Sequence, residues 1–468
     1  MKMENFWDFN VWGSIHVIAS LLLSLLAANA LKRNIPALQA SLIPTSVLGG
    51  LILMVISGIY KLVTGDVMYD TAFFGGNGMA TLEVITYHTL ALGFIASTFK
   101  SSDAKMSKQR TVEIFNTGVT TVSTYLLQAV LGFAITIAAS MIMKDFFAAA
   151  GVLLPFGYGQ GTGQAMNYGT IYETEFGFVG GKSFGLTIAA LGFLSASIGG
   201  VVHLNLLKRR GKIVWDPNAA EFAQALDEEV QSANEIPMQG SMDKSTFQIA
   251  LVFTAYFLAY LLMLGLGALL PGMRSVIFGF NFLLGVLAAT LVKSTMSFMQ
   301  KKNIIHRKYT NNFLMTRISN FFFDIMVVAG IAAIRLGILE MYWGVILILG
   351  VSGLLFTYFY NYYVAKTLFP DYAEEQFLMM YGMLTGTAST GVILLREIDG
   401  QFKTPAADNL VYQNFPAIVF GFPMMLLATL APQKPALTFI ILVAFLIGMN
   451  LLLFRSKLFK RNKKASKV

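Results

Sequence analysis

Apolar runs of about twenty residues recur along nearly the whole chain, near residues 11–31, 41–63, 80–99, 115–143, 184–207, 246–270, 275–299, 317–338, 341–365, 409–430 and 435–454. A hydrocarbon core roughly 30 Å thick needs about 20 such residues per helix. Inside lipid the backbone must satisfy its own hydrogen bonds, so runs of this kind fold as helices. They predict an all-α polytopic membrane protein with about eleven transmembrane helices. The composition agrees, because 56% hydrophobic against 13% charged residues lies outside what a core-and-surface domain in water reaches.

Charge placement sets the orientation. With the N-terminus outside and the C-terminus cytoplasmic, the basic groups Lys32 and Arg33, Lys100 to Arg110, Lys208 to Lys212 with Lys244, Lys293 to Arg317, Lys366, Arg396 and Lys403, and the tail from Arg455 all fall inside. That is 27 of the 34 Lys and Arg residues, as the positive-inside rule requires. Residues 1–10 carry Glu4 and Asp8 against one lysine, which is not the basic start of a secretory signal, so the first span is retained. The net charge of +9 is thus a topology signal, and no nucleic acid is expected as a partner.

Cysteine is absent and the four histidines are scattered, which excludes disulfides, iron–sulfur clusters and thiolate zinc sites. No intramembrane Ser/His, paired-carboxylate or multi-histidine constellation appears, so the chain does not read as an enzyme and no organic cofactor is implied.

Two segments, near 146–172 and 374–396, are glycine-rich and polar at their centres, with apolar arms on each side. They read as re-entrant hairpins, the first entering from outside after the fourth span and the second from inside after the ninth. Such a pair, placed correspondingly in halves of opposite orientation, points to a transporter built from inverted repeats, with its site where the hairpin tips meet. The halves are then 1–207 and 246–432, joined by a cytoplasmic linker over 208–245, and 433–468 adds a helix and a basic tail. The linker's Glu221, Asp227, Glu228, Glu229 and Glu235 read as a solvated acidic stretch. An ion channel is the competing class, since re-entrant loops also build selectivity filters, but two unlike and oppositely oriented tips argue against a symmetric pore.

The first tip alternates glycine with other residues through Gly159, Gln160, Gly161, Thr162 and Gly163 to Gln164. That pattern suits close backbone approach to a ligand, or else a tightly packed turn. It lacks the Lys-Ser/Thr of a nucleotide loop. The second tip offers Thr385, Gly386, Thr387, Ser389 and Thr390, whose hydroxyls and freed carbonyls suit sodium and whose freed amides suit a carboxylate. Arg396 follows, either as a carboxylate clamp or as a cytoplasmic residue paired with Glu397 or Asp399.

Asp324 sits in the apolar run Phe321 to Met326, where a charge is costly and marks a sodium or proton ligand, with a salt bridge to a neighbouring helix, or simple proximity to the water at the inner end of its span, as the alternatives. With Thr385 and Asn414, whose helix Pro416 and Pro423 break, it makes up the candidate sodium ligands. Asn116, Gln128, Asn281 and Asn320 read as interhelical hydrogen-bonding residues. His88 reads as a packed histidine, with a proton relay as the alternative.

The run Gly159 to Ala165 resembles the GHGTGAA tip of the bacterial sodium:glutamate symporter family, with Gln160 in place of its histidine. Ile43 to Leu51 resembles that family's IPEPVAGGL opening of the second span. Gly382 to Gly391 is similar to its GFGLGATPTA tip, keeping Gly382, Gly386 and Thr390. The resemblance covers roughly residues 11 to 430. It implies a homodimer in the bacterial inner (plasma) membrane, each subunit with a scaffold and a mobile transport domain carrying both hairpins. It further implies sodium-coupled symport, sodium and glutamate or a related small carboxylate binding between the tips and moving by an elevator-like alternation. A proton-coupled carrier of another organic anion is the alternative.

Overall fold

The computed structural model describes residues 5–100, 107–213, 235–238, 241–400 and 402–457. Within them the chain forms α1 (Phe9–Asn34), α2 (Pro36–Ala40), α3 (Thr45–Thr64), α4 (Gly78–Phe99), α5 (Lys108–Ile142), α6 (Leu153–Phe176), α7 (Gly181–Arg209), α8 (Lys244–Leu269) and α9 (Arg274–Gly279). There follow α10 (Asn281–Lys301), α11 (Asn312–Ala332), α12 (Leu336–Leu368), α13 (Ala373–Thr385), α14 (Ala388–Arg396), α15 (Ala406–Tyr412), α16 (Asn414–Leu430) and α17 (Pro435–Leu453). Among the described residues no strand forms, only an isolated bridge between Glu235 and Lys308.

The chain is an all-α polytopic membrane protein. Ten of these helices are long and apolar enough to cross a bilayer, and an eleventh span arises if the bent pair of α15 and α16 is counted as one. Their outward faces are apolar at helical spacing. On α8 the exposed residues include Phe253, Phe257, Leu261 and Leu264, and on α12 Leu347, Val351, Leu355 and Phe359. A surface of this kind needs lipid, because water would not tolerate so much contiguous apolar area.

Several helices start where a short polar side chain takes up their first free amides. Ser107 Oγ accepts from the Arg110 amide at the head of α5, Asp243 Oδ1 from Ser245 and Thr246 at α8, and Asn311 Oδ1 from Leu314 at α11.

The helices gather into two compact units, each drawing on both halves of the sequence. The first holds most of α1 and α3, with α4 and α8 to α11. Its core packs Leu92, Ile95 and Phe99 of α4 against Val252 and Ala255 of α8, Ala289 of α10 and Met315 of α11. At its edge Glu235, expected in a solvated stretch, is instead buried. Its carboxylate takes the Lys244 ammonium at 2.7 Å and the Asn311 amide at 2.7 Å, because a buried charge is tolerated only when paired and hydrogen-bonded. The other four acidic linker residues lie outside the described residues.

The second unit holds α5 to α7 and α12 to α17, with the stretch Ala27–Leu48. One of its clusters joins Leu204 of α7 and Ala365 of α12 to Phe377, Leu378 and Tyr381 of α13, with Leu394 of α14 and Leu42. Both segments singled out for their broken, glycine-rich centres belong to this unit.

Candidate functional site

The first of those segments reverses direction inside α6. Phe156 and Tyr168 stack with ring centroids 3.8 Å apart, although twelve residues of straight helix would separate them by about 18 Å. The turn is made at Gly161, with φ 78° and ψ −171°, a conformation that a β-carbon would clash in and only glycine adopts readily. The second segment reverses between α13 and α14. Gly386 and Thr387 leave the helical region, and Gly391 packs against the Met379 carbonyl.

Two neighbouring helices tie the reversals together. From α5, the Tyr125 hydroxyl donates to the Gly159 carbonyl at 3.0 Å, and Gln128 Nε2 donates to the Leu384 carbonyl at 2.9 Å and to Thr357 Oγ1 at 2.9 Å. From α7, Ser195 receives both arms. Tyr381 donates to its carbonyl at 2.7 Å, while Tyr158 donates to the Gly350 carbonyl at 2.6 Å and so accepts from Ser195 Oγ at 2.9 Å. Gly192, one turn earlier on α7, lets the tips approach. A β-carbon there would lie 2.5 Å from the Thr385 carbonyl oxygen and 3.1 Å from Tyr158 Cα.

Further polar rungs run along α5. Thr121 Oγ1 donates to Gln413 Oε1 at 2.9 Å, and Gln413 Nε2 contacts Met383 Sδ in the second hairpin. Gln376 Nε2 donates to Thr117 Oγ1 at 3.2 Å, and Asn409 Nδ2 to Gln376 Oε1 at 3.0 Å. These side chains are buried. Charged residues are absent from 146–172 and from 376–395, so both reversals offer only neutral donors and acceptors, and the charges of the second hairpin sit at its ends. Five amide atoms among the described residues of this unit are buried without a hydrogen-bond partner: Gln128 Oε1, Gln160 Nε2, both Nε2 and Oε1 of Gln164, and Asn409 Oδ1.

At the start of α13 the Glu374 carboxylate receives Lys366 Nζ at 2.6 Å and Lys212 Nζ at 3.1 Å, and sits 3.1 Å from His203 Nε2. Burial pushes this carboxyl up, but the hydrogen bonds from His203, Lys366 and Lys212 outweigh it and hold the group down at about 2. Glu375 beside it is raised, chiefly by burial and further by the charges of Asp399 and Glu374. The first arm of the second hairpin is therefore pinned to α7 and α12 by ions at one end and by Tyr381 near the other.

The candidate residues divide by place. Gly159, Gly161, Thr162, Gly163, Thr385, Gly386 and Thr390 are buried at the two reversals, with Gln160 and Thr387 half-buried beside them and Ser389 exposed. Thr385 Oγ1 donates to the Tyr381 carbonyl at 2.6 Å, leaving its lone pairs as acceptors. Arg396 is not brought to the tip. It ends α14, at the end opposite the reversal, with its guanidinium 5.4 Å from the centre of the Phe402 ring. Asn414 is exposed and accepts from Gln413 Nε2 at 3.0 Å; the buried amide at that bend is Gln413. Asp324 is exposed on α11 and belongs to the first unit.

Of the interhelical residues, Asn116 Oδ1 accepts from Arg455 and Asn281 Nδ2 donates to the Tyr87 carbonyl, as expected of such side chains, while Asn320 is exposed. His88 Nδ1 lies 2.6 Å from the Tyr256 hydroxyl. Nothing in the sequence marks Tyr125, Tyr158, Ser195 and Tyr381, because a hydroxyl side chain in an apolar run carries no sign of its hydrogen-bond partner. Neither the protein-family models nor the curated proteins give a match for this chain.

Proposed function

We propose that the chain is a secondary active transporter, a sodium-coupled symporter of a small amino acid or carboxylate, with its site at the paired hairpin tips. The observation that carries this reading is the joining of two broken helices, one from each half of the sequence, by Tyr125 and Gln128 of α5. Non-helical backbone at membrane depth is tolerated where it lines a cavity or is packed in protein, and in transporters such breaks supply the ligand groups.

The helix order supports inverted repeats, since each half contributes five spans with a hairpin between the fourth and fifth when the bent pair of α15 and α16 is counted as one. The two units support a division of labour: the first three spans of each half fall in one, and the hairpins with their flanking spans in the other. The second unit is then the moving part and the first the scaffold of a homodimer in a bacterial plasma membrane. Carbonyls, hydroxyls and amide oxygens at the tips are the neutral donors that hard cations accept. Sodium bound there favours the conformation that also holds the solute, so coupling is differential binding between two states.

Glutamate, the solute implied by the resemblance, is the one to test first. Radiolabelled glutamate uptake into proteoliposomes is measured under an inward sodium gradient and under an equal potassium gradient. Accumulation with sodium alone is the expected result. Equal uptake with both cations removes sodium coupling, and absence of uptake in a folded sample removes glutamate.

A further inference from the structure

We infer that the solute is recognised through a planar edge bearing one hydrogen-bond donor and one acceptor, a primary carboxamide being the smallest such group, and that Gln164 is the residue that reads it. This rests on the transport reading and names the chemistry of the same site.

Gln164 is 1% exposed, yet neither atom of its amide has a partner. An unmet buried donor or acceptor costs about 1–3 kcal/mol, and leucine or methionine would fill the same volume without that cost. The amide is therefore explained by a group that arrives from outside the chain. Its position agrees, since it is the third residue after the break at Gly161, in the returning arm of the first tip. Gln160, on the other side of the break, adds a buried and unpartnered Nε2.

The chemistry follows from the edge a primary amide presents, which is one N–H beside one carbonyl lone pair in a plane. Exchanging the nitrogen and oxygen leaves that edge with one donor and one acceptor, so the argument does not depend on which way the group is turned. A carboxamide meets both at once. An ionised carboxylate has only acceptors, which would set one of its oxygens against Gln164 Oε1. Nor does either reversal hold a basic side chain to offset its charge, Arg396 lying at the far end of α14, whereas a carboxamide needs none.

The test is equilibrium binding to the purified full chain in sodium-containing detergent solution, with isosteric pairs as probes: L-glutamine against L-glutamate, and L-asparagine against L-aspartate. The carboxamide member of at least one pair binds tighter by about tenfold or more, the size of one hydrogen bond. The Gln164→Met variant, which keeps the shape and removes the edge, brings that ratio near one while eluting as the wild type does on size exclusion.

Tighter binding of the carboxylate member, binding of neither member of either pair, or a preference that survives in Gln164→Met overturns the assignment. If Gln164→Met does not fold, Gln160→Met supplies the second variant, and the wild-type ratio still decides. Sodium-driven uptake in proteoliposomes is scored separately. A carboxamide that binds but is not accumulated defeats the transport reading and leaves the recognition chemistry standing.

Discussion

Gln128 and Leu384 stand 256 positions apart in the sequence, and the side-chain amide of the first donates to the backbone carbonyl of the second over 2.9 Å. The carbonyl is one residue before Thr385, where the second hairpin's first arm ends, so a side chain of one half of the chain holds the tip of the other.

Removing that tie gives the first prediction. Gln128→Leu leaves the Leu384 carbonyl and the Thr357 hydroxyl without their shared donor, a loss of about 1–3 kcal/mol for buried polar groups. Melting in detergent falls modestly, and under the proposed transport function solute uptake by the folded variant falls by at least about tenfold. Full uptake would show that the tie is structural only.

Gly192 gives the second. Gly192→Ala places a methyl group against the Thr385 carbonyl and Tyr158, backbone atoms that move only together with the tips, at a cost of about 1–3 kcal/mol. Gly265→Ala, with nothing within 4 Å of the new carbon, is the control and is neutral or up to about 1 kcal/mol stabilising. Thermal melting of both separates crowding from helix propensity.

Tyr158 and Tyr381 share Ser195, so their effects are coupled. Tyr158→Phe and Tyr381→Phe each cost about 1–3 kcal/mol. The double variant departs from the sum by about 0.5 kcal/mol or more, as residues in one network do. A double-mutant cycle in denaturant that closes additively would show the two hydroxyls to be independent.

Glu374 sets an acid limit. Its carboxyl is held down from 4.5 to about 2 in the folded chain, so the folded state favours the ionised form. The stabilisation is present in full above the unfolded value and is lost as pH falls from 4.5 toward 2. The melting difference between wild type and Glu374→Gln is therefore constant at neutral pH and shrinks in acid; a difference that grew on acidification would reverse the sign.

Glu235 and Lys244 form a pair whose side chains are 1% and 0% exposed. Glu235→Leu strands the ammonium and costs about 3–5 kcal/mol, while Glu235→Leu with Lys244→Leu recovers much of that loss, because two apolar side chains avoid the desolvation penalty. Melting of the single and double variants checks this.

The apolar runs alone determined the number and order of the spans, because the length of a helix that crosses lipid and the solvation of its backbone are local properties. Glycine and hydroxyl runs likewise marked both breaks, Gly161 and Gly386, since a helix ends where its local preferences change. What the tertiary structure decided is which side chains attend those breaks. Arg396 follows the second tip in sequence yet ends α14 at the far side, nine helical residues from the reversal, while Tyr125, Gln128 and Ser195 reach the tips from other helices. Glu235 looked solvated within an acidic linker and is buried by Lys244 and Asn311. Hydrogen-bond partners and charge pairing depend on which helices pack side by side, a long-range outcome that hydropathy and spacing do not encode.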